Sequence, residues 1–163
     1  MFKFFHKDNN ITEPLQVVAA GEVIELSEVS DPVFSQKMMG EGFGVHPTAG
    51  EIYAPTAGKI TMVADTKHGL GLTSSSGLEI LLHMGIDTVE LKGVPFKINV
   101  NVGEEVQAGQ LLGQMNIEAI ESAGKDPTIM VVITNTAEVI SKLTTNVGNK
   151  TNGDVAAEVT IKS

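Results

Sequence analysis

The sequence predicts an all-β fold: a compact antiparallel sandwich or barrel with one or two short helices. From Leu15 onward, short runs rich in Val, Ile and Leu alternate with Gly, Pro, Asn and Asp, the spacing of short strands joined by tight turns. Only two stretches carry helix punctuation, and both are brief. The 163 residues include six Phe, one Tyr and no Trp, so the core must be mainly aliphatic, and β-branched side chains suit a pleated surface.

Residues 1–14 read as a flexible tail ending at Pro14, and 15–163 as one domain large enough for a proper core. Ala20-Gly21-Glu22-Val23 and Ala57-Gly58-Lys59-Ile60 form a weak internal repeat. Each opens an apolar run on a glycine that suits a tight corner. A third, similar unit runs from Val102 to Leu112. The first helix is expected over Pro32–Met39, with Asp31 as N-cap. The second is expected over Asn116–Ala123 and stops at Gly124. Between them, Thr66–Thr73 and Leu78–Met84 read as a hairpin around the turn formers Ser74-Ser75-Ser76-Gly77.

Bulk properties exclude several classes. A net charge of −9 argues against nucleic acid and favours partners with basic surfaces. The chain has no cysteine, so thiol chemistry is excluded and a reducing compartment is permitted. No apolar run reaches the ~18 residues of a membrane span. No signal peptide is visible, and the cytoplasm is the expected location. The tip Met1-Phe2-Lys3-Phe4-Phe5-His6-Lys7 is read as a frayed terminus; transient contact with an anionic membrane surface is the alternative its composition allows.

The hairpin carries the chemistry. A register pairing Thr73 with Leu78 sets His68 directly opposite His83, with Cα atoms roughly 4.5–5.5 Å apart. Alternation puts Glu79, Leu81 and His83 on one face and Ile80, Leu82 and Met84 in the core. Thr66 falls on the same face as His68, where its hydroxyl can bond one ring nitrogen and fix the tautomer. A lone histidine on a strand is usually a satisfied structural residue. Two facing imidazoles repel once either is protonated, so stability gives little reason to pair them; they can share a phosphate, a metal ion or a proton. No Gly-rich loop followed by Lys-Ser/Thr is present, so a phosphoryl group would have to arrive from another protein. His6 and His46 lack partners by spacing and read as surface residues. Asp31 and Asp87 sit at turns, where Asp is common for backbone reasons, and Asp87 is close enough to His83 to lie on the rim.

Gly77-Leu78-Glu79-Ile80-Leu81-Leu82-His83-Met84-Gly85-Ile86-Asp87-Thr88-Val89-Glu90-Leu91-Lys92-Gly93 resembles the active-site signature of the glucose-family enzyme IIA domains of the bacterial sugar phosphotransferase system. Thr66-Lys67-His68 resembles that family's second motif, Asp31 to Gly40 a third, and Tyr53-Ala54-Pro55-Thr56-Ala57-Gly58 a weaker fourth. The resemblance covers about Val17 to Asn135. It implies a compact antiparallel β-sandwich of duplicated, hybrid-motif type, with no cofactor and no metal. It further implies that the histidine matching His83 takes a phosphoryl group from phosphorylated HPr and hands it to a cysteine on the IIB domain of a sugar permease. The position of His68 bonds that group and the position of Thr66 orients His68. Asp31 and Asp87 match rim residues that meet basic partners, and Val33, Phe34, Met38 and Met39 match an apolar docking surface. Val18, Gly69 and Met130 stand where the pattern usually has proline, alanine and proline.

Two other classes fit these residues less well. A zinc peptidase needs three protein ligands and an open position, whereas two histidines converge here. A lipoyl- or biotinyl-type carrier, suggested by Gly103 to Leu112, needs a lysine at an exposed hairpin tip, and no convincing candidate is present.

Overall fold

The computed structural model describes residues 11–162. The strands, in chain order, are β1 (Ile11–Gln16), β2 (Gly21–Glu25), β3 (Glu41–Pro47), β4 (Glu51–Tyr53), β5 (Gly58–Val63), β6 (Gly69–Ser74) and β7 (Glu79–Ile86), then β8 (Phe96–Ile98), β9 (Glu105–Val106), β10 (Leu111–Met115), β11 (Asp126–Ile133), β12 (Ile140–Thr145), β13 (Gly148–Lys150) and β14 (Val155–Ile161). The helices are α1 (Pro32–Ser35), α2 (Ile117–Ser122) and α3 (Thr136–Val139), with 3₁₀ turns at Leu26–Glu28 and Thr88–Leu91. One large sheet runs β13-β2-β3-β11-β7-β6-β5-β9, and two three-stranded sheets run β1-β14-β12 and β4-β10-β8. Every pairing is antiparallel. The expected all-β sandwich architecture is thus present.

The core is aliphatic, as the composition requires. Leu15, Val23, Val45, Ile60, Leu72, Leu82, Ile129, Val131 and Val159 lie in it, with Phe43 its largest side chain. On the other face of the large sheet, Ile24, Leu26, Val29, Phe34, Met130 and Val132 form a second, smaller apolar cluster. That cluster is the floor on which the histidines rest. Met130, the departure from the usual proline, is fully buried there; it pairs with His83 on one side and Gly44 on the other.

Both matched glycines of the repeat open a strand, Gly21 in β2 and Gly58 in β5. A side chain at either would overlap a carbonyl of the neighbouring strand, of His46 or Thr73 respectively.

Three expectations need correction. The tail was expected to run to Pro14, but residues 11–14 belong to β1 and pair with β14, Ile11 facing Ile161. Pro14 is accommodated because β1 is an edge strand, where its missing N–H leaves no ladder bond empty. Glu13 ties this edge to the rest: one carboxylate oxygen accepts from Thr56 Oγ1 at 2.8 Å and the other from Ser76 Oγ at the hairpin tip. The rest of the tail, with the Met1–Lys7 tip and His6, lies outside the described residues. The first helix stops at Ser35 instead of reaching Met39. Lys37 takes a left-handed φ of 61° and donates to Phe34 O, while Met38 donates to Val33 O, the Schellman closure that glycine usually supplies. The second helix matches, with Asn116 capping through Ala119 N.

The hairpin register is the third correction. His83 pairs with Gly69, not His68, and Thr73 with Glu79. The loop holds three residues, Ser75 to Gly77: Ser74 and Leu78 close it through Ser74 N to Leu78 O, and Gly77 takes a φ of +96°. A type I turn followed by a left-handed residue is a favoured three-residue hairpin loop.

Candidate functional site

Despite that slip the two imidazoles meet, their ring centroids 5.0 Å apart and their planes at 76°. His83 projects from β7 on the face of the second cluster, with the exposed Glu79 and half-buried Leu81 on the same face of its strand and Phe34 of α1 against its ring; Ile80, Leu82 and Met84 point into the main core as alternation predicts. His68 lies just before β6, in a tight turn rather than on a strand. Lys67 has a left-handed φ of 60°, Lys67 N donates to Ala64 O at 2.8 Å, and Met84 N donates to the His68 carbonyl at 2.7 Å. On a continuing strand His68 would share the core face of Leu70 and Leu72; the turn brings it to the face of His83 instead.

Each ring is oriented by one polar contact. Nδ1 of His83 lies 2.9 Å from the carbonyl oxygen of Gly85. A carbonyl only accepts, so Nδ1 carries the hydrogen and the neutral ring presents an unprotonated Nε2. Nδ1 of His68 lies 2.6 Å from Thr66 Oγ1, a group that donates or accepts. Phe34 packs on the other side of His83, centroids 5.1 Å apart at 53°. At 6% exposure it supports the imidazole from within, so of the four residues expected to form a docking surface it offers little area. Val33, Met38 and Met39 are open, at 42%, 71% and 36% exposure.

Both histidines titrate below the ordinary value of 6.5. For His68 the cause is burial. For His83 burial is the largest cause and the neighbouring His68 adds to it, while the Gly85 hydrogen bond and the charges of Asp31 and Asp87 pull the other way. Asp31 also caps α1, accepting from Val33 N at 2.9 Å. Asp87 has a left-handed φ of 61° and makes no side-chain cap; the nearby Lys125 is taken up by Glu90 at 2.7 Å. His46, read as a partnerless surface residue, is exposed but bonds Thr128 Oγ1 at 3.0 Å.

The structure therefore brings together His83, His68 and Thr66, and sets Asp31 and Asp87 near enough to act on His83. Sequence reasoning missed Gly85, whose carbonyl holds the ring, and the buried Met130 beneath it. Among the described residues no group of three or more His, Cys, Asp or Glu is placed to hold a metal ion, and no helix is long and apolar enough to cross a membrane.

The family model for the phosphoenolpyruvate-dependent sugar phosphotransferase system, EIIA 1, matches residues 13–139. The chain belongs to that family. It is 42% identical over 141 residues to the glucose-specific EIIA component of Staphylococcus aureus, covering 85% of each chain. It is 45% identical over 126 residues to the glucose-specific EIICBA component of Streptococcus pneumoniae, which takes in 77% of this chain but 17% of that longer protein. The solved glucose permease IIA from Mycoplasma capricolum superposes with a TM-score of 0.82 at 32% identity, over 91% of this chain and 96% of the other. This EIIA chain is accordingly a phosphotransfer component of the sugar phosphotransferase system.

Proposed function

We propose that His83 is the phosphoryl carrier, accepting the group from phosphorylated HPr and passing it to the IIB cysteine of a sugar permease. The observation that carries this reading is the Nδ1–Gly85 contact at 2.9 Å. It leaves Nε2 as the free nucleophilic atom, and a lowered pKa keeps that atom unprotonated at neutral pH. In the first step the Nε2 lone pair attacks phosphorus, an N–P bond forms on His83, and the bond between phosphorus and its atom on HPr breaks, that atom keeping the electron pair. In the second, a cysteine thiolate attacks the same phosphorus; an S–P bond forms and His83 recovers its lone pair.

His68 serves the transferring group. With Thr66 Oγ1 donating to Nδ1, its Nε2 carries the hydrogen and donates to a phosphoryl oxygen. Such a bond strengthens as charge spreads over the oxygens in the loose transition state. Asp31, Asp87 and the exposed Val33, Met38 and Met39 form the rim that partners meet, acidic residues beside apolar ones. Location in the cytoplasm and the HPr and IIB partnerships follow from the same reading.

Incubation with phosphorylated HPr tests it. Wild type should gain one acid-labile phosphoryl group by intact mass, and His83→Ala none. Stoichiometric acid-labile phosphate on His83→Ala would overturn the assignment.

A further inference from the structure

Thr88 is polar and fully buried. Buried hydroxyls need a partner, and this one donates to the carbonyl of Met84 at 2.6 Å. The choice of partner matters because the Met84–Gly85 stretch serves both imidazoles. Met84 N–H donates to the His68 carbonyl at 2.7 Å, and the Gly85 carbonyl accepts from Nδ1 of His83 at 2.9 Å. Gly85 has a φ of +88°. Its open side faces Thr88, whose Cγ2 occupies the space a side chain would need. One residue thus grips this stretch twice, with its hydroxyl on the carbonyl before Gly85 and its methyl group against the glycine itself.

Glycine has the widest backbone freedom of any residue. Left ungripped, its carbonyl could rotate away from the ring. A neutral imidazole whose Nδ1 loses its acceptor is free to move its hydrogen to Nε2, the atom that must stay bare. We propose that Thr88 is a positioning residue for phosphoryl transfer: by bonding the peptide that leads into Gly85 and packing against the Gly85 Cα, it holds the next carbonyl, that of Gly85, on Nδ1 of His83, which keeps the hydrogen there and Nε2 free to attack. The inference rests on the reading of His83 as the carrier. Its distinguishing content is the tautomer, which is measurable without any phosphoryl donor.

The test is nitrogen-15 NMR of the full chain with labelled histidine, alongside phosphorylation kinetics with phosphorylated HPr. Wild-type His83 should carry its hydrogen on Nδ1. Thr88→Val keeps the shape and removes only the hydroxyl. It should raise the share of the Nε2–H form and lower kcat by roughly two- to tenfold, the range set by losing one ordinary hydrogen bond, with KM unchanged. Thr88→Ser restores the hydroxyl without the methyl group and should return most of both. A Thr88→Val protein that melts earlier yet keeps wild-type tautomer and kcat would reduce Thr88 to a stabilising residue and overturn the inference. So would a wild-type His83 with its hydrogen on Nε2, a measurement that needs no variant to fold. If the tautomer series behaves as expected while His83→Ala still takes phosphate, the carrier reading fails and the inference about the tautomer stands.

Discussion

Two glycines flank the histidines, and the structure assigns them opposite tolerances. At Gly69 the backbone is ordinary strand, and an added Cβ would meet nothing closer than Ala64 Cβ and Leu82 O, both at 3.8 Å. Gly69→Ala should therefore stabilise by the ~0.4–1 kcal/mol that comes from restricting the unfolded chain. For a chain of this size that is a rise in Tm of roughly 1–4 °C. At Gly85 the φ of +88° is left-handed, which costs a side chain about 1–2 kcal/mol. The new methyl would also overlap Cγ2 of the buried Thr88 and lie 3.1 Å from its Oγ1, overpacking worth about 1–3 kcal/mol more. The sum, about 2–5 kcal/mol, is a fall in Tm of roughly 4–20 °C. Paired thermal melts at neutral pH read both variants. Because the Gly85 carbonyl holds His83, phosphoryl acceptance by Gly85→Ala should also drop at temperatures where it remains folded. A Gly85→Ala protein that melts with wild type and accepts phosphate at the wild-type rate would refute the claim that this backbone conformation is required.

Other expected outcomes concern the imidazoles and the rim. His68→Ala should still be phosphorylated at His83 but donate onward to IIB roughly 30- to 150-fold more slowly, the cost of one charge-assisted hydrogen bond at ~2–3 kcal/mol; an unchanged onward rate would count against its role. Asp31→Asn keeps a capping side chain on α1, so it and Asp87→Asn should slow transfer chiefly at low ionic strength with the fold intact, and stopped-flow rates equal to wild type at low salt would remove the electrostatic argument. His68 and His83 titrate below their unfolded value of 6.5. Just under that pH the folded state binds fewer protons than the unfolded one, so stability should fall as pH drops from about 6.5 toward the folded values. Denaturant melts across that window should show a shallower fall for His83→Gln than for wild type; equal slopes would mean the ring carries no such linkage.

The sequence made the strand-rich architecture, the Asn116 cap and the outward face of β7 legible because each rests on local signals, period and turn chemistry. The α1 boundary was not legible because its closure uses Lys37 in a conformation that normally announces itself as glycine. The hairpin register differs from the one the facing histidines suggest, and the burial pattern of the strand carries the difference. Leu70 and Leu72 are buried with Leu82 and Ile80 as their partners, and a register with His68 opposite His83 would set them against Leu81 and Glu79 on the other face of β7. The second apolar cluster, with Phe34 against His83, depends on elements distant in the chain, and no local spacing reports it.

The pairing of Ile11 with Ile161 brings the two ends of the described fold to neighbouring positions on one sheet, with Cα atoms about 5 Å apart as antiparallel partners are. A polypeptide could therefore enter at one and leave at the other while its own cut ends stay side by side, the geometry that domain insertion and circular permutation require. Such a graft would load the β1–β14 pair and leave the large sheet with its imidazoles free to turn toward each partner. Joining 11 to 161 through a short flexible linker and reopening the chain at the Gly103 turn, where a side chain would meet nothing within 4 Å, would make the fold a closed, relocatable cassette.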